Sequence, residues 1–492
     1  MSAQALSDLI AHARETAALG RVSGLISWDQ EVMMPPKGAE GRAEEASAMA
    51  AVLHARRTDP RLAEWIAAID PAALPDDAAR RDVELAARDH ARATRVPAAL
   101  EAHLASLSVR SQGIWAKARA EDDFAGFAPI LGQMVEARRE QAAALAEPGQ
   151  DPYDALLEEY EPGMHAAALD ALFARLRDGL VPLAAEAGER TLPPPLTGFF
   201  GQDQQMQLAR EVATAFRYDW QAGRLDLSTH PFSSGHRGDA RITTRVDEGD
   251  PFNCLYSTIH ETGHAVYEQN IAADLYGRPA GSYCSMGVHE SQSRFFENQV
   301  GRSRAFAEWL APKMRAAFPD APADAEAFFR AANRIHPGFI RTESDEVHYN
   351  LHILMRFDLE RELMAGRLAA RDLAEAWRAR FEADFGTPPP DDRRGALQDV
   401  HWSLGLFGYF PTYSLGNLNA AMLEDAMRRD LPDMDAMMAK GELEAIVGWL
   451  TDKVHRHGAT LPAPALIEAA TGAPLSEAPL LAHLRRKVDA LA

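Results

Sequence analysis

Residues 257–267 read Ser-Thr-Ile-His-Glu-Thr-Gly-His-Ala-Val-Tyr and contain the pattern His-Glu-x-x-His. On an α-helix, residues four positions apart project from one face, so His260 and His264 can bind the same metal ion. Glu261 lies about 100° further round the helix, where it can act on the attacking water instead of serving as a ligand. The stretch therefore predicts a helix that carries part of a catalytic zinc site.

The same helix has a face to bury. Leu255, Ile259, Thr262 and Val266 follow a 4-3-4 spacing, which predicts a mostly apolar stripe. The two histidines lie beside this stripe, so we expect them at the edge of a cleft. Gly263 is unfavourable at this position, because glycine costs a helix interior roughly 1 kcal/mol relative to alanine.

The composition predicts a mainly α-helical protein, and a strand-like stretch before the motif helix predicts a small β-sheet near the zinc site. The chain has 492 residues, of which 47% are hydrophobic. Ala, Leu, Glu and Arg dominate, whereas β-branched residues are sparse, which favours helices. We interpret residues 1–492 as one large metallopeptidase domain. An arrangement of this domain as two lobes around a groove is the alternative. The net charge of -21 argues against nucleic acid and anionic membranes as partners.

Local patterns predict where the elements lie. Residues 241–246 alternate like a strand, and residues 339–343 are a candidate short strand. The ranges in which we expect helices are 2–20, 166–188, 203–217, 254–275, 289–301, 345–365 and 370–385.

Two features favour a cytoplasmic location. The chain has two cysteines, Cys254 and Cys284, too few for a disulfide framework, which indicates a reducing compartment. Residues 1–20 alternate in charge and lack the apolar core of a secretory signal. No run approaches the ~18 apolar residues that a membrane span requires.

The third metal ligand has several candidates, because a catalytic zinc ion uses three protein ligands and a water. Glu268 continues the four-residue spacing, but three ligands on one helix surround a tetrahedral ion poorly. Glu290 is geometrically better, since it follows a glycine-containing loop that lets the chain return to the first helix. His289 and Glu297 remain alternatives.

Six motifs follow one another in a fixed order along the chain. They are His-Pro-Phe (230–232), Asp-Ala-Arg-Ile-Thr (239–243), His-Glu-Thr-Gly-His (260–264), His-Glu-Ser-Gln (289–292), Ile-Arg-Thr-Glu-Ser-Asp (340–345) and Gly-Ala-Leu-Gln-Asp-Val-His-Trp (395–402). This set resembles the zinc metallocarboxypeptidases of the thermostable carboxypeptidase family, also called carboxypeptidase Taq, over nearly the whole chain. Ser344 departs from the alanine that is usual in that family.

The resemblance implies that Glu290 is the third ligand, beside His260 and His264. It also implies a helical, saddle-like fold with a deep groove, commonly a homodimer, and a zinc enzyme that releases C-terminal amino acids with broad specificity. Co²⁺ or Mn²⁺ could occupy the same ligands. In this mechanism Glu261 takes a proton from the attacking water and passes it to the leaving amine.

A carboxypeptidase must also recognise the free carboxylate of its peptide substrate. Arginine offers a two-pronged donor for this purpose, and we favour Arg341 over Arg241. For Arg341 the alternative is a structural ion pair. His230, His401 and Tyr409 are candidates for binding the oxyanion or the substrate backbone, with a hydrogen-bonded core residue as the alternative for each.

Two other functions remain open at this point. A metal-dependent endopeptidase or dipeptidyl-peptidase would use the same chemistry but tolerate amidated C-termini. A non-catalytic helical scaffold would bind zinc without turnover, and Glu261 would then have no purpose.

Overall fold

The computed structural model describes residues 2–190, 192–322 and 324–491. As predicted, the protein is mainly α-helical. The α-helices of this described part are α1 (Ser2–Val32), α2 (Ala39–Arg57), α3 (Pro60–Ala68), α4 (Asp77–Arg95), α5 (Ala98–Glu121), α6 (Phe124–Leu145), α7 (Pro152–Leu157), α8 (Ala166–Gly188), α9 (Gln202–Ala215), α10 (Pro251–Asn270), α11 (Met286–Arg294), α12 (Arg304–Ala317), α13 (Ala325–Ala332), α14 (Glu346–Met364), α15 (Leu373–Phe385), α16 (Pro411–Asp430), α17 (Met434–Met438), α18 (Glu444–Lys453), α19 (Ala463–Thr471) and α20 (Ala478–Ala490).

A small sheet precedes α10. Its strands are β1 (Leu225–Leu227), β2 (Ser233–His236) and β3 (Asp239–Thr244), in the order β1-β3-β2. β1 runs parallel to β3, and β2 runs antiparallel to it. The strand predicted at 241–246 is therefore confirmed with a shift of two residues. The other two strands have three and four residues, too short for an alternation of residue types to reveal them.

The chain forms two compact units, each built from three segments. The first unit comprises the described residues of 1–94, 193–333 and 419–475. The second comprises those of 95–192, 334–418 and 476–492.

In the first unit, α10 packs against β3, α9 and α11. The side chain of Asp250 caps its first turn by accepting a hydrogen bond from the backbone of Phe252, and Pro251 occupies the first position, where a missing N–H does no harm. The predicted apolar stripe is confirmed, because its four members are buried along the length of the helix. The Thr244 hydroxyl on β3 lies 2.9 Å from that of Ser257, so the sheet abuts the N-terminal half of α10.

In the second unit, α14 is buried on nearly all sides. It contributes Ile353 and Leu363 to a core that also contains Leu131, Met134 and Trp377. Helices predicted at 345–365, 370–385 and 166–188 are confirmed as α14, α15 and α8.

The helix predicted at 2–20 is confirmed and continues to Val32, because two glycines within it cost only about 1 kcal/mol each and do not end a long helix. One local prediction was wrong. Residues 339–343 do not form a strand; Arg341–Glu343 form a 3₁₀ turn. The backbone N–H of Arg341 and the carbonyl of Phe339 both bond to the side chain of Gln398 instead of a neighbouring strand.

None of the helices in the described ranges is long and apolar enough to cross a lipid bilayer.

Candidate metal centre

The first unit brings three metal-binding side chains together: His260 and His264 from α10, and Glu290 from α11. Their ligand atoms all lie within 4.8 Å of one another. The Nε2 atoms of His260 and His264 are 3.6 and 3.3 Å from Oε2 of Glu290. Two imidazole nitrogens and one carboxylate oxygen are the donor set that a catalytic zinc ion uses, so these residues fit a metal of that class.

Close packing of two helices creates this arrangement. Gly263 faces the backbone of α11, and a Cβ atom added there would lie 2.4 Å from the carbonyl oxygen of Gln292 and 2.6 Å from the Cα of Ser293. Only glycine permits this approach. Ser285 caps the start of α11, because its hydroxyl accepts a hydrogen bond from the backbone N–H of Val288. Gly263 makes the helix intrinsically less stable, but it lets α11 come close enough for Glu290 to reach the two histidines.

Glu290 is held as an anion although it is buried. Burial favours a higher pKa for this carboxyl, but the charges of Arg294 and His260 outweigh it and hold the pKa well below the usual range. Arg294 Nε donates to Oε1 at 2.7 Å, and Ser293 Oγ donates to Oε2 at 3.0 Å. Sequence reasoning missed Arg294, although a Glu-x-x-x-Arg spacing on a predicted helix is a recognisable pairing signal.

The Nδ1 atoms of the two histidines have different partners. Nδ1 of His260 lies 3.0 Å from Oε2 of Glu297, and Nδ1 of His264 lies 2.5 Å from Nδ1 of His289. Burial and the neighbouring His289 lower the pKa of His264 to about 3, which keeps its imidazole neutral, as a metal ligand must be.

The other candidates for the third ligand have different contacts. Glu297 pairs with His260, while Glu268 lies 3.2 Å from Nε2 of His289. Glu297 lies in a π-helical segment, Phe295–Gly301, that directly follows α11. Because Glu290 and Glu297 are seven residues apart, about two helical turns, both can face α10.

Glu261 is buried beside this group without belonging to it. Burial raises the pKa of its carboxyl to about 7, with Glu290 and Glu297 adding to the rise and His260 opposing it. A carboxyl with such a pKa can both take up and release a proton near neutral pH.

One predicted substrate-binding residue, His230, and the less favoured candidate, Arg241, also lie in the first unit. His230 is exposed in the loop between β1 and β2, where its carbonyl accepts a hydrogen bond from Ser228 Oγ. Arg241 on β3 forms a two-pronged ion pair with Asp239, with both N–O distances at 2.8 Å. Neither residue is in the group of candidate metal ligands.

The remaining predicted residues gather in the second unit around Tyr413. The Arg341 guanidinium lies 5.0 Å from the ring of Tyr413, and the Nε2 of His401 lies 3.3 Å from its hydroxyl. The ring of Tyr409 is 5.4 Å away. Arg341 is buried and already paired, since its Nη2 lies 2.9 Å from Oδ1 of Asp399.

A mainly helical fold with a His-Glu-x-x-His helix and a glutamate on a second helix defines a metallopeptidase. The chain belongs to the carboxypeptidase Taq (M32) metallopeptidase family, whose model matches residues 8–488.

Individual relatives match over almost their full length. Thermostable carboxypeptidase 1 of Thermus thermophilus is 40% identical over 99% of both chains. Carboxypeptidase 1 of Bacillus subtilis is 36% identical over 98% of this chain and 96% of that protein. The crystal structure of the M32 carboxypeptidase of Deinococcus radiodurans superposes with a TM-score of 0.95 at 39% identity, covering 99% of each chain. The predicted family and the predicted metallocarboxypeptidase activity are confirmed.

Proposed function

We propose that this metallocarboxypeptidase uses Zn²⁺, held by His260, His264 and Glu290, to release C-terminal amino acids from peptides with broad side-chain specificity. The observation that supports the proposal is the convergence of two imidazole Nε2 atoms on one buried carboxylate oxygen. When bound, the ion supplies Lewis acidity for attack on the amide carbonyl. Co²⁺ and Mn²⁺ can use the same donors.

Glu261 is the proposed general base. Its carboxylate takes the proton of the attacking water and then delivers it to the nitrogen of the leaving amino acid. The burial that raises its pKa to about 7 suits both steps. Arg294 meanwhile keeps Glu290 ionised by donating to its other oxygen, so the two carboxyls keep distinct roles although they are close in the fold.

Recognition of the substrate carboxylate remains a prediction for Arg341, with His230, His401 and Tyr409 as further substrate-binding candidates. The guanidinium of Arg341 combines a carboxylate partner, Asp399, with the hydroxyl of Tyr349 at 3.1 Å. Nε and Nη2 thus serve Asp399 and Nη1 serves Tyr349, as the structural ion pair also requires, so a substrate carboxylate would have to share these donors with Asp399.

We further propose a cytoplasmic homodimer. Cys254 and Cys284 are both buried and are not joined by a disulfide, which is compatible with a reducing compartment. Apolar side chains of the α1–α2 region are exposed, with Val22, Leu25, Met33 and Val52 at 46 to 60% of full accessibility. In α2 the only buried residue is Leu53. A second copy of the chain covering this surface would remove it from water.

The test is amino-acid release from matched short peptides with free-acid or amidated C-termini, using enzyme that is stripped of metal and then reloaded with zinc. We expect release from the free acids only, loss of activity after stripping, and recovery with one zinc ion per chain. Equal cleavage of amidated peptides would support the endopeptidase alternative and overturn the proposal. Full activity of the stripped enzyme would do so as well.

A further inference from the structure

We propose that His289 and Glu268 are positioning residues that hold the ring of His264 toward the metal through two consecutive hydrogen bonds. The inference rests on the proposed metal centre and adds two residues to it. All three residues belong to the first unit.

The contacts form a continuous line that leads away from the centre. Nε2 of His264 faces Oε2 of Glu290 at 3.3 Å, and its Nδ1 lies 2.5 Å from Nδ1 of His289. Nε2 of His289 lies 3.2 Å from Oε1 of Glu268. The rings of His264 and His289 are 4.6 Å apart and inclined by only 27°, which suits two imidazoles that meet edge to edge.

A single assignment of protons satisfies every member of this line. A metal ligand must offer a bare Nε2, so the ring proton of His264 lies on Nδ1 and is donated to Nδ1 of His289. His289 then carries its proton on Nε2 and donates it to Glu268, which as a carboxylate only accepts. The bond to Glu268 therefore fixes the tautomer of His289, and the bond to His289 fixes the tautomer of His264.

Packing leaves His289 little freedom. Its ring lies 5.3 Å from that of Tyr267 and 4.8 Å from that of Tyr283. The side chains of His289 and Glu268 are about 85% buried, with 14 and 15% exposure. A buried imidazole and carboxylate that pack this closely and bond to each other are preorganised to orient His264.

The two ligand histidines are thus supported unequally. His260 contacts a carboxylate directly, and Glu297 is fixed in turn by Arg302 at 3.1 Å. The support of His264 is one residue longer and ends at Glu268, which lines a cavity of about 360 Å³. We therefore expect the His264 side of the centre to be the more sensitive to changes in that cavity.

The test measures metal binding directly. Zinc affinity is determined by competition with a chromophoric chelator, and the visible spectrum of the Co²⁺-loaded protein reports the ligand geometry. His289→Phe keeps a ring in the packing but removes both hydrogen bonds, whereas His289→Gln keeps a donor and an acceptor. Glu268→Gln keeps a carbonyl acceptor but loses the negative charge and adds an amide donor. His457→Phe, at a partly buried histidine of the same unit that does not line this cavity, is the matched control.

We expect His289→Phe to weaken zinc binding about 10- to 100-fold and to alter the Co²⁺ spectrum. Glu268→Gln should lose less, His289→Gln should recover part of the loss, and the control should match the parent. Parent-like affinity and spectrum in His289→Phe would overturn the proposal. If that variant does not fold, parent-like values for Glu268→Gln decide against it equally. A parent protein that binds no zinc would instead refute the proposed metal centre.

Discussion

Replacing Gly263 by alanine tests whether the approach of two helices creates the metal centre. On a helix alone this change is favourable, because alanine is about 1 kcal/mol better than glycine in a helix interior. In the folded protein the new methyl group would lie 2.4 Å from the carbonyl oxygen of Gln292 and 2.6 Å from the Cα of Ser293. Both are backbone atoms of α11, so no side-chain rotation can relieve the contact.

The expected size of the effect follows from these distances. A carbon–oxygen contact needs about 3.3 Å, so α11 must move away by about 1 Å. Overpacking of this kind costs about 1–3 kcal/mol, and a contact with rigid backbone belongs at the upper end. After subtraction of the helix gain, we expect a net destabilisation of about 1–2 kcal/mol.

The consequence for the metal is larger. Glu290 is on α11 and moves with it, whereas ligand distances tolerate only about 0.2 Å of change. We expect zinc affinity to fall at least tenfold, measured by chelator competition, and the thermal midpoint to fall by several degrees. Gly448→Ala in α18 is the matched control, because nothing lies within 4 Å of its added methyl group. There the helix gain should appear alone, as a small stabilisation.

The reasoning would be refuted by a Gly263→Ala protein that is as stable as the parent and binds zinc as tightly. Loss of stability without loss of zinc affinity would show that the backbone accommodates the new methyl group at another point, so that Glu290 keeps its position.

Two further predictions concern charged groups. Glu261→Gln should reduce turnover by about 10²- to 10⁴-fold at unchanged zinc content; a zinc-loaded variant with parental turnover would exclude the general-base role. Burial favours a higher pKa for Glu346, but the charge of Lys487 and a hydrogen bond from His483 lower the pKa to about 2. The ionised carboxylate therefore stabilises the folded state at pH values above its ordinary pKa. This stabilisation is lost as the pH falls toward 2. Glu346→Gln should therefore cost roughly 2–3 kcal/mol at pH 7 and progressively less in acid, and urea unfolding that shows the same difference at pH 7 and pH 3 would contradict this.

The part of the site that α10 carries could largely be predicted from the spacing of residues in the sequence. Four residues is close to one helical turn, so His260 and His264 share a face in any helix that forms there. The apolar stripe of α10 requires burial whatever packs against it. These properties depend only on neighbours in the chain, and the structure contains them as expected.

The choice of the third ligand is different. Glu268, His289, Glu290 and Glu297 all come within reach of the two histidines or of their partners. Spacing in the chain ranks these candidates but does not show which oxygen turns toward the two Nε2 atoms.

The sequence by itself determined a helical metallopeptidase with two histidines on one helix face, because helical periodicity is a property of the chain alone. The tertiary structure decided that Glu290 faces those histidines, that Glu297 contacts His260, and that His289 contacts His264. The physical reason is that these roles depend on the position of α11 relative to α10. That position is set by the close contact at Gly263, between residues that are distant in the chain.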